Sequence, residues 1–275
     1  SGQRKGAMNY QLICLDLDGT LLDDQKKILP RARESVKQAA EQGIKIALVS
    51  GRMPAAVDPI EEELGISCIK ACNAGTYILK DGQCISSEYL LADTMKRIYE
   101  EIAERYQMPL WIFRHDSWFV TGSDRYVEKE SEIIHHRPEF ADVEELAAEW
   151  AKEGTGPNKL VLAASPDEIT EIYNMIAAQN RTDLDMARSA DTFLEIFPKG
   201  VTKGTALKAI CQSLDVKPEN VIAFGDHELD VPMIKAAGVG IAMGNAIDEL
   251  KAKADFVTKS NNEAGVAYGL EHYLV

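Results

Sequence analysis

The chain has 275 residues, 45% hydrophobic and 27% charged, with a formal net charge of −14. That length fits one large domain or two unequal ones. The acidity excludes partners that need a broad basic face, nucleic acid and anionic membrane surfaces among them, though not a small anionic substrate met by a local cation.

No apolar run reaches the roughly 20 residues of a membrane span. Ser1–Ala7, read as a remnant ahead of a native start at Met8, lack the apolar core of a signal peptide. Cys14, Cys68, Cys72, Cys84 and Cys211 are odd in number and scattered. They read as reduced thiols of a cytoplasmic protein, without a metal or redox role.

Leu12–Leu15 form a short apolar run suited to a strand buried on both faces. "PRARESVKQAAEQG" has apolar residues at helical spacing and stops at Gly43; "IKIALVS" is a second buried strand; "PAAVDPIEEELG" is helical and "CIKACNAGTYIL" returns to strand. Strand and helix alternating in this way predict an α/β fold with a doubly wound, Rossmann-like parallel sheet.

The pattern changes near residue 82. "TYILKDGQCIS" reads as a hairpin, a helix follows over Asp93–Tyr106, and "LWIFRHDSWFVT" gives two aromatic strands around a turn. Helices, one containing His135 and His136, then "NKLVLAAS", a capping-box helix opening at Ser165, and "LDMARS" complete an α+β insert over residues 82–189. From residue 190 the parallel pattern resumes with "TFLEIF" as a strand, then "TKGTALKAICQSL", "NVIAFGD" and "VGIAMG". The expected organisation is thus a core of residues 8–81 and 190–275 carrying an inserted cap.

In open parallel sheets ligands bind beyond the carboxyl ends of the strands. There "LICLD" delivers Asp16, "IALVS" delivers Ser50 followed by Gly51 and Arg52, "VIAFGD" delivers Asp226, and Lys203 opens the helix after "TFLEIF". Asp16, Asp18 and Asp226 are hard oxygen donors, and Mg²⁺ is a cation that would relieve their repulsion and recruit a phosphate. Asp16 is then placed to attack phosphorus, and Asp18 to protonate the leaving oxygen and later accept a proton from water. Ser50 would hydrogen-bond a phosphoryl oxygen, and Lys203 would balance the charge.

Four segments in order, "DLDGT", "VSGR", "VTKG" and "GDHELD", resemble the motifs of the haloacid dehalogenase superfamily; the insert, "NAGTYI" and "AMGNA" resemble its Cof-type sugar-phosphatase group. The resemblance implies Asp16 as nucleophile, Asp18 as general acid/base, and Ser50 and Lys203 as phosphate clamps. It also implies Mg²⁺ on the Asp16 carboxylate, the Asp18 backbone carbonyl and Asp226, with Asp230 orienting Lys203 or the metal shell. Gly51, Arg52, Asn73 and Asn245 enter as phosphate or substrate contacts. Two positions depart from the pattern: Leu229 stands where similar proteins carry Asn, and Asn73-Ala74-Gly75 replaces Asn-Gly-Ala.

Plainer readings compete at several sites. Ser50, Asp230 and Asn245 are each suited to capping a helix. Arg52 also suits a surface ion pair, and His227 an exposed loop. Trp111, Phe113, Trp118 and Phe119 alternate on short strands and read as core; Arg114 and His115 sit at the turn, where a cap would reach the site.

The function expected is a Mg²⁺-dependent phosphatase acting on small phosphorylated metabolites, sugar phosphates first, through an aspartyl-phosphate. A phosphomutase and a non-catalytic protein that binds a phosphometabolite are the alternatives. Oligomeric state is left open by the sequence.

Overall fold

β1 (Leu12–Leu15) is buried at every position because both of its faces are covered, as a central parallel strand requires. It belongs to a computed structural model that describes residues 9–274. The expectations for Ser1–Ala7 and Met8 lie outside the described residues.

α1 (Pro30–Glu41), β2 (Lys45–Val49), α2 (Pro54–Leu64) and β3 (Ile69–Cys72) follow in alternation. Both helices open on a proline, whose missing N–H costs nothing in the first turn. Gly65 closes α2 in the left-handed conformation. The hairpin β4 (Tyr77–Lys80) and β5 (Gln83–Ser87) then extends the same sheet antiparallel.

Next come α3 (Ala92–Ile98), β6 (Trp111–Arg114), β7 (Ser117–Val120), α4 (Arg125–Ile134), β8 (Glu139–Phe140) and α5 (Val143–Glu153). They are followed by β9 (Lys159–Ala163), α6 (Pro166–Ala177), β10 (Leu184–Ala190) and β11 (Phe193–Pro198). The remainder is α7 (Lys203–Leu214), β12 (Val221–Gly225), α8 (Val231–Ala236), β13 (Val239–Ala242), α9 (Asp248–Lys253), β14 (Phe256–Val257) and α10 (Gly265–Leu274).

Two sheets result. The eight-stranded sheet runs β14-β13-β12-β1-β2-β3-β4-β5, parallel from β14 to β3. The chain winds outward from β1 to one side and later returns to its other side, so the carboxyl end of β1 is the switch point of the sheet. The second sheet runs β10-β11-β9-β6-β7-β8 and is antiparallel except where β7 meets β8.

Two strands lie on the other side of the expected junctions. Gln83–Ser87, expected in the insert, pairs with β4 in the eight-stranded sheet. Phe193–Pro198, expected to resume the parallel sheet, pairs antiparallel with β9 and β10. A short strand buried on both faces looks the same in sequence whether its neighbours are parallel or antiparallel. α4 ends at Ile134, so His135 is its left-handed cap residue and not a helical position.

Each face of the eight-stranded sheet carries an apolar cluster, one around Ile13, Leu15 and Leu48 and the other around Leu12, Val49 and Ile210. The six-stranded sheet packs Ile112, Leu160 and Leu162 against its helices. Its opposite face turns Trp111, Phe113, Trp118 and Val161 toward Met53 and Ala56 of the first body. Each such large side chain, fully buried, contributes about 1.5–3 kcal/mol. All five cysteines are free. No helix among the described residues is long and apolar enough to cross a membrane.

Candidate active site

Leu15 lies opposite Phe224 in the parallel pair of β1 and β12. The next residue of one strand is Asp16, and Asp226 follows Gly225 at the end of the other. Both carboxylates therefore emerge at the same sheet edge. One oxygen each from Asp16, Asp226 and Asp230 lie within 4.8 Å of one another.

The Thr20 hydroxyl sits between two of them, 3.2 Å from Asp16 Oδ2 and 3.0 Å from Asp226 Oδ1. Gly19 makes the approach possible. Its φ is +79°, and a Cβ there would lie 2.1 Å from Asp226 Oδ2.

Crowding acids in a dry edge changes their titration. Burial, then the charge of Asp230, pushes the Asp16 carboxyl up to about 6 in spite of Lys203. Burial and the Asp16 charge push Asp226 well above the ordinary carboxylate value.

Lys203 is the cation of this group. Thr202 caps α7 by accepting the N–H groups of Gly204 and Thr205, which fixes Lys203 at the first helical position. Its Nζ, 1% exposed, donates to Asp16 Oδ1 at 2.8 Å and to Asp230 Oδ1 at 2.6 Å. Burial opposes its charge, but the two carboxylates hold its pKa above the usual lysine value.

Asp230 is not the side-chain cap of α8. Its Oδ2 accepts the backbone N–H groups of Asp226 and His227 at 2.9 and 3.3 Å, so one buried carboxylate aligns both the lysine and the loop that carries Asp226.

Asp18 is set apart from that cluster. Arg52 grips it in a two-pronged pair, Nε to Oδ2 at 2.9 Å and a terminal nitrogen to Oδ1 at 2.8 Å, and Lys26 lies 3.1 Å from Oδ1. Enclosure in the cleft opposes its charge, yet Arg52 and then Lys26 hold its carboxyl well below the usual range. Arg52 also donates to the Ala56 carbonyl.

The other expected contacts divide. Gly51 lines the cavity, and a Cβ on it would meet Glu195 Oε1 at 2.7 Å. Ser50 is buried at the end of β2, accepts the Arg52 N–H at 3.0 Å, and is not among the lining residues.

Asn73 faces the turn between β6 and β7, donating to the His115 carbonyl at 2.9 Å. Asn245 is neither a helix cap nor a cavity residue: its Nδ2 donates to the Gly19 carbonyl at 2.9 Å, and its Oδ1 accepts from Asn261 N–H at 3.0 Å. Motif membership fixes where these amides start but not where they point.

The turn at Arg114 and His115 is a joint between the two sheets and does not reach the site. The His115 ring stacks on Tyr77 at 4.7 Å, its Nε2 is 2.6 Å from the Tyr89 hydroxyl, and neighbouring Asp116 accepts the Ala55 N–H.

His227 is also less exposed than expected. Its ring bridges to the second sheet at Asp191 and the Arg188 carbonyl, 3.1 and 3.2 Å away. Leu229, 3% exposed, packs with Ala74, Ala187 and Phe197, so the position that departs from the motif serves an apolar contact between the two bodies.

A cavity of about 140 Å³ lies between Asp16, Asp18, Lys203 and Asp230 on its floor and the six-stranded sheet as its roof. Trp111, Phe113 and Trp118, whose alternation reads as core, line that roof together with Phe193, while Phe119 packs on the helix-covered face of the sheet. The indole N–H groups of Trp111 and Trp118 are buried with no hydrogen-bond partner among the described residues.

Lys159 and Glu195 also line the roof and are paired at 2.7 Å, and Lys159 donates in addition to the Gly51 carbonyl. Glu130 enters from α4, its carboxyl pushed upward by burial and then by Asp18. Sequence reading missed Thr20, Lys26, Glu130, Lys159 and Glu195 as members of this site. Only Thr20, inside "DLDGT", carried a signal.

A parallel sheet with acids and a buried lysine at its switch point, roofed by a second sheet, defines an α/β hydrolytic enzyme. The chain belongs to the haloacid dehalogenase-like hydrolases, whose family model matches residues 13–270.

Among its relatives, the pyridoxal phosphate phosphatase YbhA of Escherichia coli is 29% identical over 280 residues, covering 98% of this chain and 100% of its own. Phosphatase YwpJ of Bacillus subtilis is 29% identical over 295 residues, covering 96% and 100%. The crystal structure of a haloacid dehalogenase-like hydrolase from Bacteroides thetaiotaomicron superposes with a TM-score of 0.80 at 29% identity, covering 96% of this chain and 99% of that one.

Proposed function

We propose that this hydrolase is a Mg²⁺-dependent phosphatase of small phosphorylated metabolites that works through an aspartyl-phosphate on Asp16. The observation that carries the reading is Asp16 itself: a carboxylate at the sheet's switch point, with Lys203 at 2.8 Å and Asp226 within the same cluster of acids. The phosphatase names of the relatives support it.

The acids fit a hard divalent cation. Burial and then the Asp230 charge raise the pKa of Asp16, and burial and then the Asp16 charge raise that of Asp226, which is the signature of a site short of positive charge. Asp16, Asp226 and the Asp18 backbone carbonyl would hold Mg²⁺, and the bound ion would neutralise charge on the phosphoryl oxygens.

The rest falls to the chain's own groups. An Asp16 oxygen attacks phosphorus, the ester oxygen leaves with a proton from Asp18, and Lys203 offsets the negative charge gathering on the Asp16 side. Water then attacks the aspartyl-phosphate and gives its proton to Asp18, freeing Asp16 and phosphate.

Arg52 holds Asp18 as a carboxylate, the form needed in the second step. Protonation for the first step requires that grip to loosen, and an arriving phosphoryl group is an anion suited to draw the guanidinium away. The roof covers the site of the aspartyl-phosphate, while Asp18, its side chain 40% exposed, stays open to the water that the second step needs.

Sugar phosphates fall within the substrate class, and Gly51 and Arg52 line the path a phosphoryl group would take. A phosphomutase would use the same floor but return the phosphoryl group to a sugar. A small phosphate ester incubated with the protein should release phosphate only when Mg²⁺ is present, and Asp16→Asn should abolish release. Equal turnover by that variant would refute the reading.

A further inference from the structure

Resting on the phosphatase reading, we infer that Glu130 selects the leaving group: its carboxylate accepts a hydrogen bond from a neutral, hydroxyl-bearing group and turns away one that carries a second anion.

The placement of Glu130 is the first support. Asp124 caps α4 by accepting the N–H groups of Tyr126 and Val127, which fixes where the helix begins. Val127, Glu130 and Ile134 then fall on one face, three and four residues apart. Val127 is buried among the roof residues, while Glu130 and Ile134 line the cavity. Glu130 is half-buried, so its carboxylate stays open to a ligand there.

Charge pairing is the second. Every lysine and arginine that lines the cavity is already held. Lys203 lies between Asp16 and Asp230, Arg52 and Lys26 grip Asp18, and Lys159 is paired with Glu195. Glu130 is the carboxylate left over: it makes no hydrogen bond and no ion pair among the described residues. Burial, then the charge of Asp18, pushes its carboxyl upward, although Arg52, Lys26 and Lys159 oppose the rise. An arriving phosphoryl group would engage Lys203 and Arg52, which leaves Lys26 to Asp18 and Lys159 to Glu195.

The third is direction. On the phosphatase reading the ester oxygen leaves on the side of Asp18, which protonates it. Asp18 and Glu130 line the same cavity of about 140 Å³, so a leaving group small enough to fit emerges beside both. A hydroxyl there donates to a carboxylate that lacks a partner, and bonds to an ionised acceptor are the stronger kind. A carboxylate or second phosphate there meets a like charge with little water between, or forces a proton onto Glu130; either outcome works against the transition state. The same repulsion disfavours the bisphosphate that a phosphomutase must hold.

The test compares esters of one chain length, using the full chain and Mg²⁺. Glycerol 3-phosphate ends in a hydroxymethyl group, 3-phosphoglycerate has a carboxylate in its place, and propyl phosphate lacks both. The kcat/KM for glycerol 3-phosphate should exceed that for 3-phosphoglycerate by more than about 100-fold, and that for propyl phosphate by about tenfold. Glu130→Gln keeps the size and an acceptor oxygen but loses the charge, and should lower the first ratio at least about tenfold. Glu130→Leu loses the acceptor as well, and should bring the second ratio to about twofold or less. Each ratio is taken within one protein, so a partly misfolded variant changes neither.

Wild-type protein that hydrolyses 3-phosphoglycerate as well as glycerol 3-phosphate would overturn the inference and leave the phosphatase reading standing. A first ratio unmoved by Glu130→Gln, or a second unmoved by Glu130→Leu, would overturn the role given to Glu130. Should no ester turn over, the phosphatase reading fails, and calorimetric titration of the Mg²⁺-loaded protein decides the recognition separately. Affinity ratios that shift in the variants as stated support it; unshifted ratios, or no binding of glycerol 3-phosphate, refute it.

Discussion

On the floor of the cavity, Asp16, Asp226, Asp230 and Lys203 are held by strand ends, a helix cap and backbone N–H groups, so their charges are fixed before a ligand arrives. Across from them, the roof presents rings from three antiparallel strands and spends its one lysine on an internal ion pair. A floor of preorganised charge suits a reaction that is common to many esters, since it meets only the phosphoryl group. A roof of rings suits the part of the substrate that varies. On the proposed reading, reaction and selectivity belong to different sheets, built by different stretches of chain.

The sharpest test of that division is to remove one lysine from each side. Lys203→Met should lower kcat/KM by about 10²–10³-fold, because the charge beside the nucleophile is lost; steady-state kinetics will read it. Lys159→Met should spare most of the turnover but cost about 3–5 kcal/mol of stability, because Glu195 is left charged, buried and alone. Replacing both, Lys159→Met with Glu195→Leu, should recover most of that loss in denaturant unfolding. Equal effects of the two lysines on activity would erase the distinction.

The two sides also differ in how well the sequence announced them. Asp16, Ser50 and Asp226 sit just beyond the ends of apolar runs, and a parallel strand delivers its last residues to one edge wherever the rest of the chain goes; Lys203 follows an antiparallel strand of the other sheet and reaches the edge as the first residue of α7. The roof has no such rule. Trp111 and Phe113 face the cavity while Ile112 between them faces the helices, and both faces are buried, so alternation alone does not tell lining from core.

β11 misleads for the same reason: "TFLEIF" is apolar enough to pass for a parallel strand. Asn73 and Asn245 show a further limit. Their places near the site are legible, but one amide turns to a joint and the other to a neighbouring loop.

A third, smaller effect is on pH. The Asp16 carboxyl rises from 3.8 in the free residue to about 6 in the fold. Between those values the folded chain binds more protons than the unfolded one, so without metal its stability falls as pH rises through that window. Mg²⁺ competes with the same protons, so its apparent affinity should drop about tenfold per proton displaced for each pH unit below about 6. Thermal unfolding with and without Mg²⁺ across pH 4–7 reads both slopes. The roof ion pair predicts no Mg²⁺ dependence of its own.

The smallest expected effect is at Leu229, where floor and roof touch. Leu229→Asn restores the residue usual in similar proteins, but places an amide among Ala74, Ala187 and Phe197. It should cost about 1–3 kcal/mol in unfolding and raise kcat/KM by less than about twofold. A large gain in activity would mean that this side chain, which also lines the cavity, acts on the reaction and not only in the contact between the sheets.

The claim beneath all of these is that phosphorus passes through Asp16. A single-turnover reaction with a radiolabelled phosphate ester and Mg²⁺, quenched in acid within milliseconds and digested, locates the label directly. The account predicts an acid-stable phosphoryl group on the peptide containing Asp16, absent in the Asp16→Asn protein. Label on a different residue, or turnover with none on the protein at any time, would contradict it.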